Sequence, residues 1–287
     1  MLASVTIDRL SAVLERFRVR AHLFHAGPLC GTTHFDARPG RGFLHVLRRG
    51  EMVVTHSARK GVPRRLVIEE PSLLFYPRPL THHFHNAPTD GSDFVCATLD
   101  FDGGDAHPLV RALPPLIALP LRGVEGLEHS LSLLFAETGA VRCGQRLLAD
   151  RVFEVVLIQL LRWLLDHPEQ SGVPAGLFTG LSDPRLARLL VALHERPGEA
   201  WGLSRMAEAA GMSRSAFASR FKAVVGATPG DYLADWRLSI AQARLRDGQS
   251  VKQIADALGY ANASALTRLF SSRVGIAPRD WSKRQSG

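Results

Sequence analysis

Cysteine is scarce in this chain: there are three in 287 residues, odd in number and widely spaced. That argues against a secreted disulfide framework. Long hydrophobic runs are missing too. The most apolar stretch, from Val152 to Leu165, is shorter than a bilayer span and carries Glu154 and Arg162. The N-terminal stretch MLASVTIDRLSAVLERF is broken by Asp8, Arg9, Glu15 and Arg16. No signal peptide is therefore expected, and the expected setting is cytoplasmic with no membrane partner. Neither a glycine-rich phosphate loop nor a G-x-S-x-G elbow occurs, which argues against nucleotide-dependent and serine-hydrolase chemistry. The net charge of +8 is unevenly placed. Ser182 to Gly287 holds 16 Lys and Arg against 9 Asp and Glu, a net +7 of the chain's +8. A basic excess confined to one part is what phosphate contact requires.

That same part contains one small unit twice. GMSRSAFASRFKAVVGATPGDY runs from Gly211 to Tyr232, and GYANASALTRLFSSRVGIAPRDW from Gly259 to Trp281. When Phe221 is aligned with Phe270, Gly226 matches Gly275, Pro229 matches Pro278 and Tyr232 matches Trp281. Repetition at this grain is an architectural signal. Each copy follows a short amphipathic segment, LSRMAEAAG or VKQIADALG. Ser250 with Gln253 forms a capping-box pattern, and Gly259 permits the left-handed stop. Two short helices joined by a glycine turn make a helix-turn-helix, whose second helix can enter a major groove.

Helical-wheel arithmetic gives the outward faces. With Phe217 and Phe221 inward, Ser215, Ser219, Lys222 and, at the flank, Ala218 point away. With Leu266 and Phe270 inward, Ser264, Thr267, Arg268 and Ser271 point away. These eight are the expected DNA-facing residues, and Arg268 can donate two hydrogen bonds to guanine. The connecting segment GDYLADWRLSIAQARLRDG would be a helix of roughly 24 Å. That is compatible with reading helices one DNA turn apart.

On Gly259-Tyr260, Ser264, Arg268-Leu269-Phe270, Gly275, Pro278 and Trp281, the stretch resembles the tandem helix-turn-helix domain of AraC-type transcription regulators. Two departures stand out: Leu266 sits where an aromatic is commoner, and Ala218 and Ser219 where larger polar groups are common. The resemblance implies double-stranded DNA and RNA polymerase as partners, a homodimer, and an unknown small-molecule or metal effector.

From Arg20 to Phe101 the pattern shifts to short runs separated by turn residues. RAHLFHA, GFLHVLRRG, EMVVTHS, RRLVIEE, SLLFYP, THHFH and DFVCATLDF read as strands of a small barrel or sandwich. The apolar strand, proline and histidines of LLFYPRPLTHHFH resemble the cupin-like sensor half of AraC-type regulators. The expected fold class is α+β in two domains, a cupin-like β-barrel with flanking helices followed by an all-α tandem helix-turn-helix domain. The expected bounds are 1–170 for sensor and dimerisation, 171–182 for a linker, and 183–287 for DNA binding. An opening helix is expected from Thr6 to Val19, and two further helices between Gly126 and His167. The longer of these is apolar nearly all round, with Leu161 taken as an outward position. It packs either within its own domain or against a second copy. Asp183 before Pro184 is a capped helix start.

The functional expectation is a sequence-specific DNA-binding regulator and not an enzyme. The alternative is a metal-dependent cupin enzyme with an appended DNA-binding domain, using His83 and His85. However, no Glu follows the His-x-His pair, where catalytic cupins usually carry one. A structural zinc site is expected from Cys30, His83, His85 and Cys96, a closed tetrahedral set of two thiolates and two imidazoles. His34, His45 and His82 are reserve ligands, Cys96 returning beside THHFH through the APTDGS turn. Cys30 and Cys96 could instead form a redox pair, or be simple buried thiols. The histidines could instead bind an organic effector.

Overall fold

The computed structural model describes residues 7–86, 91–170 and 172–285. They fall into two compact units, one of Arg18–Pro174 and one of Ala175–Gly287 with the segment up to Phe17. The opening helix α1 is only Ser11–Leu14, and it belongs to the second unit rather than to the sensor part. Leu10, Val13 and Phe17 are buried, and the Phe17 ring meets Trp236 edge-on at 5.2 Å. Three apolar side chains in one short helical stretch need a core, and this one lies in the C-terminal unit.

In the first unit the strands are β1 (Val19–Leu29), β2 (Gly31–Phe35), β3 (Arg41–Arg49), β4 (Met52–His56), β5 (Arg65–Ile68), β6 (Ser72–Tyr76), β7 (His82–Asn86), β8 (Ser92–Phe101) and β9 (Ile117–Pro120). They form two antiparallel sheets, ordered β1-β8-β3-β6-β9 and β2-β7-β4-β5. The sheets remain separate, so the architecture is a cupin-like pair of layers rather than one closed cylinder. Phe35, Val54 and Phe84 of one sheet pack with Phe43, Leu74, Phe94 and Cys96 of the other. All seven sequence-expected strands are present. β2 and β9 are additional, and the stretch after Cys30 is therefore paired strand rather than open loop.

Helices α2 (Pro108–Ala112), α3 (Leu127–Thr138) and α4 (Gln145–Asp166) complete this unit. β1 is an edge strand, and an edge leaves amides unpaired. Carboxylates of α4 meet two of them: the Leu23 amide donates to Asp150 at 2.6 Å and the Ala21 amide to Glu154 at 3.4 Å. Leu161, expected to face outward, is fully buried, because α4 packs on both β1 and α3. Its exposed apolar positions are Leu147, Leu148 and Val155, with Leu133 exposed on α3. Among the described residues no helix is long and apolar enough to cross a membrane.

The second unit adds α5 (Leu177–Ser182), α6 (Ala187–Glu195), α7 (Leu203–Ala209), α8 (Arg214–Val225), α9 (Pro229–Arg246), α10 (Val251–Ala257), α11 (Ala263–Val274) and α12 (Pro278–Gln285). The expected linker is thus partly helix: Leu177, Phe178 and Leu181 of α5 are buried. Ser171 and Ala87–Asp90 of the expected turn lie outside the described residues. The Asp183 carboxylate accepts from the amides of Arg185 and Leu186 in the turn that leads into α6, but the helix itself starts only at Ala187 with Leu186 at its N-cap, so the expected cap falls three residues early. Ser250 and Gln253 close the capping box at the start of α10.

Gly259 turns the chain out of α10 at φ +71°, and a Cβ there would also collide with the carbonyl oxygen of Gly198. Both the conformation and the backbone contact demand glycine. Gly259→Ala is expected to destabilise the protein by at least about 1–2 kcal/mol, the left-handed cost alone. Urea unfolding followed by circular dichroism checks this, and an unchanged midpoint would contradict it.

Candidate functional site

The two sequence repeats share the same turn, cap and ring contacts. In the first, the turn glycine Gly211 has φ +63°, and the Met212 amide returns to the Ala207 carbonyl at 2.9 Å. In the second, the Tyr260 amide returns to the Ala255 carbonyl at 3.0 Å. Ser213 caps α8 and Asn262 caps α11 through the amides of Ala216 and Ala265. Phe221 meets Tyr232 at 5.6 Å and 75°, and Phe270 meets Trp281 at 5.8 Å and 73°. An aromatic wedge eleven residues on therefore sets each second helix against the helix that follows it.

On α8, Ser215, Ser219 and Lys222 are exposed and Ala218 is half-buried. On α11, Ser264 and Arg268 are exposed, with Thr267 and Ser271 half-buried at the flank. The Thr267 hydroxyl donates back to the Ala263 carbonyl at 2.8 Å, which ties down its one proton. Each set therefore lies on one helix, on the side away from the buried phenylalanines.

Sequence reasoning missed which cations are already engaged. Arg220 of α8 is held by Asp183, its Nε donating at 2.9 Å to a carboxylate that also accepts from the Arg185 and Leu186 amides in the turn before α6. Burial alone would raise the Asp183 pKa, but the Arg220 and amide hydrogen bonds outweigh it and hold it below the ordinary carboxylate value. Arg273 of α11 is paired with Asp231 and, at 3.7 Å, Asp235 of α9. Arg237 of α9 donates to the carbonyls of Pro197 at 2.7 Å and Glu199 at 3.0 Å, with its guanidinium 5.3 Å from the Tyr260 ring. These are braces. Arg268 and Lys222, in contrast, have no hydrogen-bond or ion-pair partner among the described residues. They are cations left free for another molecule.

The expected zinc set does not assemble. Side chains leave alternate faces of a strand, so in β7 His82 and Phe84 turn into the core while His83 and His85 turn outward. His83 lies 2.7 Å from His34 on that outer face, and His85 hydrogen-bonds with Thr32 and Thr55. Cys96 is on β8 in the other sheet, wholly buried among the core phenylalanines. Burial pushes its thiol up. Cys30 is exposed just past the end of β1, five residues on from His25, which stands opposite Cys96. That is roughly 16 Å of strand, well beyond a disulfide, so the redox-pair reading fails on the same geometry. The reserve ligands divide likewise, His34 outside, His45 and His82 inside. Among the described residues no three His, Cys, Asp or Glu side chains converge to hold a metal.

The sandwich interior holds an unexpected polar chain. His82 Nδ1–H donates to the Leu80 carbonyl at 2.8 Å, so its Nε2 accepts from His45 Nε2–H at 3.0 Å. His45 Nδ1 is then a bare, buried acceptor with no partner. Nearby, His56 Nδ1–H donates to the Pro63 carbonyl at 2.7 Å, and the Tyr76 hydroxyl donates to His56 Nε2 at 3.0 Å. Tyr76 also stacks on His82 at 4.1 Å. Burial, then the neighbouring His82, holds His45 well below its ordinary pKa; burial pushes His82 down to about 3. Both shifts favour the neutral rings that the hydrogen bonds require. Period-two alternation could have assigned His82 inward; His45 sits in an almost wholly buried strand, where alternation gives no signal.

A histidine whose folded pKa is depressed binds protons more readily when unfolded, so stability rises with pH across that interval. Stability is therefore expected to fall as pH drops from 6.5 towards about 3, the window opened by His82. His82→Asn should flatten that fall, measured as the urea midpoint against pH; an unaltered slope would contradict it.

A cupin family model matches residues 8–166, and a helix-turn-helix domain model matches 206–284. A putative AraC-like transcription regulator of Streptomyces lividans is 33% identical over 61% of this chain and 58% of its own length. The chain thus spans less than two thirds of that relative. An uncharacterized HTH-type transcriptional regulator of Haemophilus influenzae is 25% identical over 88% of this chain and 90% of its own. Among solved structures, ToxT from Vibrio cholerae matches 93% of this chain and 97% of its own at 13% identity, with a TM-score of 0.40. With a cupin unit preceding two helix-turn-helix units of matched geometry, the chain belongs to the cupin family, in the AraC-type arrangement of a cupin followed by a helix-turn-helix domain.

Proposed function

We propose that the protein is a sequence-specific DNA-binding transcription regulator whose cupin unit receives a signal, either a small molecule or a metal ion. The observation that carries this is the pair of matched second helices, each presenting small polar side chains and an unengaged cation on its outward face, Lys222 or Arg268. Double-stranded DNA is the partner these faces fit, with RNA polymerase as the protein partner and the cytoplasm as the setting. The names of the relatives support a regulator over an enzyme. The enzyme alternative also loses its ligand pair, since His83 and His85 leave the outer face of their sheet.

Arg268→Ala is expected to cost about 1–3 kcal/mol on the preferred site and to relax choice at one base pair. Lys222→Ala should weaken specific and random duplexes alike and reduce the salt dependence by about one counterion. Fluorescence anisotropy across a salt series separates the two. Equal losses on both duplexes for Arg268→Ala would reduce it to a backbone contact, and no duplex affinity at low salt would end the regulator reading.

The second part of the reading is self-association through the outer face of α3 and α4. Leu148 and Val155 are seven apart on one side of α4, 41% and 45% exposed. Val155→Glu is expected to give a monomer that keeps its fold, read by sedimentation. A wild type that sediments as a monomer at micromolar concentration would remove the dimer.

A further inference from the structure

Three arginines gather at one end of the sandwich. Arg59 stands in the β4–β5 connection, Arg78 in the β6–β7 connection, and Arg111 on α2. With Pro79, Asp105 and Val110 they line a solvent-open cavity of about 340 Å³. Three guanidiniums thus face one carboxylate. The cavity lies within the size range of small-molecule sites, and its walls belong to one unit.

Two of the arginines are positioned by main chain rather than neutralised by acids. Arg78 Nε donates to the Val110 carbonyl at 3.0 Å, and its Nη2 donates to the Leu113 carbonyl. A guanidinium has five N–H donors, so three of Arg78's remain without a partner among the described residues. Arg59 Nη1 donates to the Pro79 carbonyl at 2.8 Å. Arg111 has no hydrogen-bond or ion-pair partner among the described residues. Burial, then the positive charge of Arg59, lowers the Arg78 pKa, and Asp105 acts in the opposite direction. The like charges are therefore close enough to repel, and only one acid stands against them.

A planar fork with free donors matches the paired oxygens of a carboxylate or phosphate. Pro79 and Val110 supply an apolar wall beside it. We propose that this cavity binds a small organic molecule carrying a compact oxyanion, a carboxylate or a phosphate ester. Arg78 is the anchoring fork, and Arg59 and Arg111 close on the anion from either side. The site is separate from the histidine-lined interior and does not depend on the DNA-binding reading.

Isothermal titration calorimetry of the full chain tests it, with sodium benzoate in one arm and inorganic phosphate in the other. Ionic strength is held constant with sodium chloride. At least one anion should give saturable binding, and the arm that does so tells carboxylate from phosphate. Arg59→Gln and Arg111→Gln, which leave the Arg78 tethers intact, should each weaken it about tenfold or more without shifting the melting temperature. Arg78→Lys should weaken it further, because an ammonium cannot present the fork. Two results would overturn the proposal: no saturable heat from either anion, or binding that Arg59→Gln and Arg111→Gln leave unchanged. Neither arm uses DNA, so failure here is distinct from failure of the regulator reading.

Discussion

Strand side chains leave alternate faces, and in the first unit this period of two decides what can meet what. In β7 it sends His82 and Phe84 into the layer between the sheets and His83 and His85 to the outside. Phe35 of β2, opposite His82, stacks on that ring at 4.9 Å, and Phe84 stacks on Phe94 across the gap at 5.3 Å. The interior is thus an apolar layer with a few imidazoles hydrogen-bonded to one another, to a phenol and to carbonyls. Burying polar rings costs free energy unless their donors find partners. Here every ring proton has one, and the unmet need is the lone pair of His45 Nδ1.

The second unit rests on a different constraint, the close approach of backbone to backbone at Gly198 and Gly259. That contact lets the connection after α6 lie against the turn of the second helix-turn-helix. Arg237 then reaches from α9 to the Pro197 and Glu199 carbonyls and lies over Tyr260. Arg273 ties α11 back to α9 from the other side. One helix of 18 residues, about 27 Å long, is therefore braced to both reading units.

Features that depend on neighbours in sequence were legible in advance. The capping box at Ser250 and Gln253, the glycine turns, and the inward Phe217, Phe221, Leu266 and Phe270 all follow from local spacing. So did seven of the strands, since each carries its own turn residues. Features that depend on distant partners were not. β9 lies sixteen residues beyond β8 and pairs with β6 across a helix, and Ile-Ala-Leu-Pro alone is too short to declare itself. The Arg220–Asp183 pair spans 37 positions and the Arg237–Pro197 bond 40. The zinc set failed for a related reason. Chain proximity through a turn suggested that Cys96 returns beside β7, whereas β8 pairs with β1 and β3 in the other sheet.

The bracing of α9 carries a geometric consequence for any duplex the unit engages. Successive base pairs rotate by roughly 34–36°, at 10–10.5 per turn. Two reading helices tied to one strut sample few mutual orientations, so they match half-sites at one phase of the double helix. Inserting a single base pair between the half-sites would turn one of them away from its helix while leaving every contacted base intact. On the proposed DNA-binding function, the strut would make spacing part of the code, an interval read as well as letters.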